Sequence, residues 1–142
     1  MIAAVEAKDL PSIESLLSPD VRKIFPYSPD PLAKSGAVFI GRDEVMQYYR
    51  AVFAKFDSLR WLEQDWTASA DGARAFLQAK GEIVVSHSKA SYRNIYINRY
   101  DTENGQIARM LEYANPALYE DLGIKPAPVE IDAVVRGRGY NP

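Results

Sequence analysis

The run Tyr92-Arg93-Asn94-Ile95-Tyr96-Ile97-Asn98-Arg99-Tyr100, carried on to Thr102 and answered by Gln106-Ile107-Ala108-Arg109-Met110-Leu111-Glu112-Tyr113, decides the fold. Side chains alternate across a strand with period two. Tyr92, Asn94, Tyr96, Asn98 and Tyr100 therefore share one face, and Arg93, Ile95, Ile97 and Arg99 share the other. Between the runs stands Glu103-Asn104-Gly105, and Asn-Gly supplies the positive φ of a short hairpin turn. On the return run Ala108, Met110, Glu112 and Ala114 fall on one face, with Ile107, Arg109, Leu111 and Tyr113 opposite. Glu112 thus stands among small or apolar neighbours. It is either a surface charge on an ordinary sheet or an acid/base group lining an apolar hollow.

Length and composition narrow the classes around this hairpin. A chain of 142 residues, 47% hydrophobic and 25% charged, suits one globular domain with a sizeable core. Its net charge of −2 and scattered basic residues argue against a nucleic-acid surface. The chain holds no cysteine and one histidine. Disulfides, thiolate sites and thiol nucleophiles are therefore excluded, as is a zinc site of several imidazoles, and no metal site is expected. No apolar run reaches the roughly 18 residues of a membrane span. Met1-Ile2-Ala3-Ala4-Val5-Glu6 lacks the basic n-region and cleavage pattern of a secretory signal, so a soluble cytoplasmic protein is the expectation.

In chain order, Ile2, Val5, Leu10, Ile13, Leu16 and Leu17 recur at helical spacing, with a break near Lys8, Asp9 as a cap and Pro11 early in the second piece. Val21–Phe25 reads as a short strand, and Pro26–Pro31 is too proline-rich to be anything but a loop. Gly41-Arg42-Asp43-Glu44 opens a helix whose apolar stripe is Val45, Tyr48, Tyr49, Val52, Phe53 and Phe56. Strands follow: Arg60–Ala68, an Asp71-Gly72 turn, Ala73–Val85, the polar connection Ser86–Ala90, and the central hairpin. Asn115-Pro116 caps a short helix, Ala117–Leu122, that stops at Gly123. Helices followed by consecutive hairpins give an α+β domain over residues 1–124, with helices packed on a strongly curved antiparallel sheet around a conical pocket. Residues 125–142 show no clear periodicity and read as an extended tail.

This order of elements, the Gly41-Arg42-Asp43 helix start and the terminal hairpin resemble the NTF2-like (cystatin-like) superfamily in its SnoaL-like branch. Within it, Tyr92-Arg93-Asn94, Glu103-Asn104-Gly105-Gln106-Ile107, Glu112-Tyr113-Ala114-Asn115-Pro116 and Leu122-Gly123-Ile124 resemble the phenazine biosynthesis A/B proteins. The resemblance runs from about Gly41 to Val129. It implies that Glu112 is the pocket acid/base and that Tyr92 is a pocket tyrosine. The family's site histidine and a serine one turn later fall on Tyr48 and Val52. Its active-site arginine has no counterpart in the N-terminal helix, where the alignment gives Ile13. Relatives include polyketide cyclases, ketosteroid isomerases, scytalone dehydratase and limonene-type epoxide hydrolases, mostly cofactor-free dimers. The aspartate typical of ketosteroid isomerases is not matched at Ile24-Phe25-Pro26.

The candidate site follows from both lines of reasoning. Burial raises a carboxyl pKa, and a group tuned toward neutrality is a competent general acid or base. Glu112, Tyr92 and Tyr48 are the catalytic candidates. Asn94, Tyr96, Met110, Trp61, Val52 and Asp65 are the substrate-binding ones, since phenols and amides in an apolar cavity orient a ligand. Trp61 and Trp66 are an odd number apart and are placed on opposite faces, whereas Asp65 is placed on the face of Trp61. His87, in a polar connection, reads as a solvated side chain. The expected function is cofactor-independent acid/base catalysis (isomerisation, cyclisation, condensation or dehydration) on a small hydrophobic, carbonyl-bearing or cyclic substrate. The alternatives are a binding module for a small hydrophobic ligand and an epoxide hydrolase using Asp65 and Arg74. The Arg93, Ile95, Ile97, Arg99 face is expected to hold a homodimer.

Overall fold

A computed structural model describes residues 1–27 and 36–137 of the chain. The Pro26–Pro31 loop therefore lies largely outside the described residues. Two short helices, α1 (Ile2–Glu6) and α2 (Leu10–Leu16), are followed by β1 (Leu17–Phe25), β2 (Ala37–Ile40) and the long helix α3 (Arg42–Lys55). Then come β3 (Phe56–Ala68), β4 (Arg74–Val85), β5 (Ser91–Glu103) and β6 (Gln106–Tyr113), with α4 (Pro116–Glu120) and α5 (Pro128–Gly137) at the end.

Local chemistry explains the helix boundaries. Lys8 takes a positive φ of 55° between α1 and α2, which ends the first helix where the sequence predicts a break. Its ammonium donates to the Phe53 and Phe56 carbonyls at 3.2 and 2.6 Å, satisfying groups at the C-terminus of α3. The Asp9 carboxylate accepts from Ser12 N at 3.1 Å and caps α2. Gly41, at φ 83°, turns the chain into α3, and Arg42 reaches back to donate to the Leu17 carbonyl at 2.6 and 3.0 Å.

The six strands form one sheet in the order β2-β1-β6-β5-β4-β3. The expectation of a purely antiparallel sheet is corrected at one seam: β1 and β6 are parallel, while the other pairs are antiparallel. The reason is topological, because the β1–β2 hairpin joins the four-strand meander through β1 alongside the last strand. Register shifts in β1, β3 and β6 mark bulges, which bend strands and deepen the concave face. That face carries the period-two pattern read from β5: Tyr92, Asn94, Tyr96, Asn98 and Tyr100 are buried, and Arg93, Ile95 and Ile97 are exposed or half-buried. Helices α1 to α3 pack on the concave face over fully buried Ile13, Leu17, Val21, Phe39, Val45 and Leu77.

Residues 125–142 are not an extended tail throughout, since ten of them form α5. Pro128 stands at the first helical position. Ala133 is fully buried, Arg136 donates to the Val38 carbonyl at 3.2 Å and to Glu44 Oε2 at 2.7 Å, and Glu130 pairs with Lys55. Apolar side chains on more than one side of a short segment hid the helical period from the sequence. Residues 138–142 lie outside the described residues.

Candidate functional site

A cavity of about 540 Å³ lies between the concave face, α3 and α5. The strand alternation that buries the tyrosine–asparagine face also aims Tyr92, Tyr96, Asn98 and Tyr100 at it, and β6 contributes Glu112. Helix α3 adds Tyr48, Tyr49 and Val52 within about one turn along the same side, and β3 adds Trp61. Ile131, Val134 and Val135 of α5 close part of the wall. Rings dominate: Tyr48 packs at 4.9 to 5.5 Å between centroids against Phe39, Tyr49 and Phe25, and Trp61 meets Tyr96 edge-on at 6.1 Å.

Into this aromatic wall the fold places one ion pair. Lys23 Nζ donates to Glu112 Oε2 at 2.8 Å, the lysine side chain being 4% exposed and the glutamate 18%. Nζ also sits 4.6, 5.1 and 5.7 Å from the ring centroids of Phe25, Tyr48 and Tyr49. Such cation–π contacts are worth roughly 0.5–2 kcal/mol each, which helps offset removal of the ammonium from water. Sequence reasoning missed Lys23. The signal was present in Val21-Arg22-Lys23-Ile24-Phe25, where Lys23 shares its face with Val21 and Phe25. That is the pattern that singled out Glu112. The search for a cation looked to the N-terminal helix, whereas the first strand supplies it.

The phenols around the pair are held neutral. Burial, with the Glu112 charge next in effect, pushes Tyr48 and Tyr49 well above the ordinary tyrosine value. Tyr96 and Tyr100 are raised for the same leading reason. These groups are hydrogen-bond donors at physiological pH and not phenolate bases.

Asn94 and Asn98 differ sharply although they share a face. Asn94 lies outside the cavity lining, and its amide is fully used. It donates to Tyr92 Oη at 2.7 Å and to the Asn115 carbonyl at 2.9 Å, and it accepts from Ile95 N and Asn115 N at 2.9 and 3.2 Å. Asn98, 5% exposed, is the cross-strand neighbour of Glu112 and lines the cavity. Its amide opens onto the cavity and makes no side-chain hydrogen bond to a described residue. Trp61 Nε1 is buried and likewise without a partner among the described residues.

The structure thus gathers Glu112, Tyr92, Tyr48, Tyr96, Trp61 and Val52 around one cavity. Three expectations change. Asn94 is a brace beneath the wall instead of a ligand contact. Met110 is buried behind the lining, its Sδ 3.8 Å from Tyr49 Oη. Asp65 is exposed and paired with Gln78, on the outer face. The cause is a bulge between Leu62 and Asp65, where Glu63 takes φ 51° and adds one residue to β3. It reverses the alternation, so Trp61 and Trp66 share the concave face and Asp65 leaves it. Arg74, the other group an epoxide opening needs, pairs with Asp101 at 2.6 Å away from the cavity. Gly81, by contrast, earns its place by absence: a Cβ there would come within 2.3 Å of Tyr96 Cε2, so only glycine lets that ring lie across β4.

Among the described residues no three His, Cys, Asp or Glu side chains gather as metal ligands, and no helix is long and apolar enough to cross a membrane.

The model of the SnoaL-like domain matches residues 1–110. The chain belongs to the SnoaL-like family of the NTF2-like fold. The match ends two residues before Glu112, so the carboxylate, α4 and α5 lie beyond it. Among solved structures, a candidate isomerase from Bacillus subtilis is similar at TM-score 0.72 and 22% identity, over 84% of each chain. A candidate polyketide cyclase from Pseudomonas putida reaches 0.71 and 20%, over 84% of this chain and 90% of that one. A phenazine biosynthesis-related protein from Pseudomonas aeruginosa reaches 0.70 and 18%, over 85% and 79%. At these identities the likeness establishes the shared fold. No curated protein matches the sequence.

Proposed function

We propose that this SnoaL-like protein is a cofactor-independent acid/base catalyst acting on a small, apolar, carbonyl-bearing or cyclic substrate. The observation that carries the reading is the Lys23–Glu112 pair within a cavity walled mostly by rings and aliphatic side chains. A cavity of this size takes a two- or three-ring compound, and Lys23 and Asn98 of its lining stand next to Glu112. Glu112 takes a proton from a carbon or oxygen of the bound ring and returns it at a second position. Lys23 balances its charge, while Tyr48 and Tyr92 orient the ring. The isomerase and cyclase names of the similar structures accord with proton transfer of this kind.

The test needs no knowledge of the natural substrate. With 2-tetralone in D₂O, loss of the α-proton NMR signal reports enolisation. Wild type should accelerate exchange over buffer, and Glu112→Gln should lose the acceleration while still binding the ketone. Saturable binding without any acceleration by wild type would instead support a non-catalytic binding module.

A symmetric homodimer through the outer sheet face accompanies the proposal. Ile95, Ile97 and Phe76 are 60%, 43% and 41% exposed on neighbouring strands, an apolar stripe in want of a cover. Sedimentation of wild type and Ile95→Lys distinguishes dimer from monomer.

A further inference from the structure

A polar side chain that the protein itself leaves without a partner, on a largely apolar cavity wall, is positioned to meet a ligand. Asn98 is such a group, its amide opening onto the cavity, and its position is informative. It stands directly across from Glu112 in the β5–β6 register, so their Cβ atoms are about 4.5–5.5 Å apart. Both side chains face the same cavity. Several of the other polar groups nearby are already engaged, whereas Trp61 Nε1, also on the cavity lining, is not. Lys23 is committed to Glu112, Tyr92 Oη accepts from Asn94, and Asn94 itself is saturated. Directly beside the carboxylate, the Asn98 amide has its N–H donors free among the described residues.

We infer that Asn98 holds the oxygen of a ring ketone whose adjacent C–H faces Glu112, so that the site takes enolisable cyclic ketones. The inference rests on the reading of Glu112 as the base and adds the group that receives the charge. In the step, Glu112 Oε removes the α-proton, the C–H electron pair becomes the C=C of the enolate, and the carbonyl π pair moves to oxygen. The Asn98 N–H···O contact then changes from neutral to charge-assisted, becoming shorter and roughly twice as strong. Stabilisation that grows as charge develops accelerates the reaction, whereas equal binding of ketone and enolate would not. The proton on Glu112 returns to carbon at the same or a second position, so atoms and electrons balance without a co-reactant.

The experiment compares two ligands of one shape on folded protein. 2-Tetralone presents the ketone, and 2-naphthol presents the planar C–O of its enol. Affinities are measured by Trp fluorescence for wild type, Asn98→Ala and Asn98→Asp, with a urea midpoint to verify folding of each variant. Removing the amide should weaken 2-naphthol by about tenfold or more and 2-tetralone by less than about threefold, and should lower the exchange kcat on 2-tetralone by roughly 10²–10³ with KM little changed. Equal losses for the two ligands, no loss, or no saturable binding of 2-naphthol by wild type overturns the inference. If wild type and Glu112→Gln behave as predicted but Asn98→Ala binds both ligands unchanged, only this inference fails. If wild type accelerates no exchange, the acid/base reading fails, and the affinity ratio still decides the role of Asn98.

Discussion

Asn94 and Asn98 are the same residue type, four positions apart on one strand face, both 6% exposed or less, and their surroundings give them opposite tasks. At the Asn94 end, the amide ties β5 to the Asn115 backbone and to the Tyr92 phenol, and its hydrogen-bonding groups are all taken up. At the Asn98 end the sheet leaves the amide facing a cavity beside an ion pair. Burial alone therefore does not separate structural from functional polar groups on this face. What separates them is whether the protein itself supplies the partners.

The most severe way to probe the open end is to remove its cation. Lys23→Met leaves Glu112 without its partner, and breaking a buried pair from one side costs roughly 3–5 kcal/mol, with the lower end expected because Glu112 is 18% exposed. Urea unfolding monitored by circular dichroism measures the loss. The Asn94 end should respond next. Asn94→Ala strips partners from Tyr92 and Asn115 and is expected to cost about 1–3 kcal/mol, whereas Asn98→Ala should cost under about 1 kcal/mol because no protein bond is lost. Equal costs for the two asparagines would erase the distinction between the two ends.

A third probe reads the wall around the open end. Tyr48, Tyr49, Tyr96, Tyr100 and Tyr119 all have folded-state pKa values raised, first of all by burial. Their contribution to stability is present below the unfolded value of about 10 and is lost as pH rises past it toward the folded values. In a spectrophotometric titration these phenols should ionise together with unfolding. The smallest effect is expected outside both ends, at Asp101. Burial alone would push its carboxyl up, yet hydrogen bonds from Arg99 and Arg74 outweigh it and hold the group below the usual carboxylate range. Its stabilising effect is present above the unfolded value of about 3.9 and is lost as pH falls through the folded one. Asp101→Asn should flatten the acid limb of the stability curve by a small amount and leave the neutral region unchanged.

Much of this was legible in the chain. Period-two burial of β5, the Asn-Gly turn, the Asp9 and Asn115 caps and the Tyr48–Val52 stripe are local signals, and local physics placed them. Glu112 could be picked out because its same-face neighbours are apolar. The failures share a cause as well. The bulge after Leu62 depends on Glu63 adopting a positive φ, and nothing in Leu62-Glu63-Gln64-Asp65 marks it as glycine would. Which of two alternating asparagines keeps its amide free depends on Asn115, which lies 21 residues from Asn94. Lys23 meets Glu112 across 89 residues and a parallel strand pairing, a contact no local pattern contains.

The most direct measurement is the α-proton exchange rate of saturating 2-tetralone in wild type against Glu112→Gln, with occupancy of the cavity verified for both. Glu112 as the proton carrier predicts a fall of roughly 10²–10⁴ at unchanged occupancy. Equal rates in the two proteins, both above buffer, would contradict it and move the chemistry to another side chain.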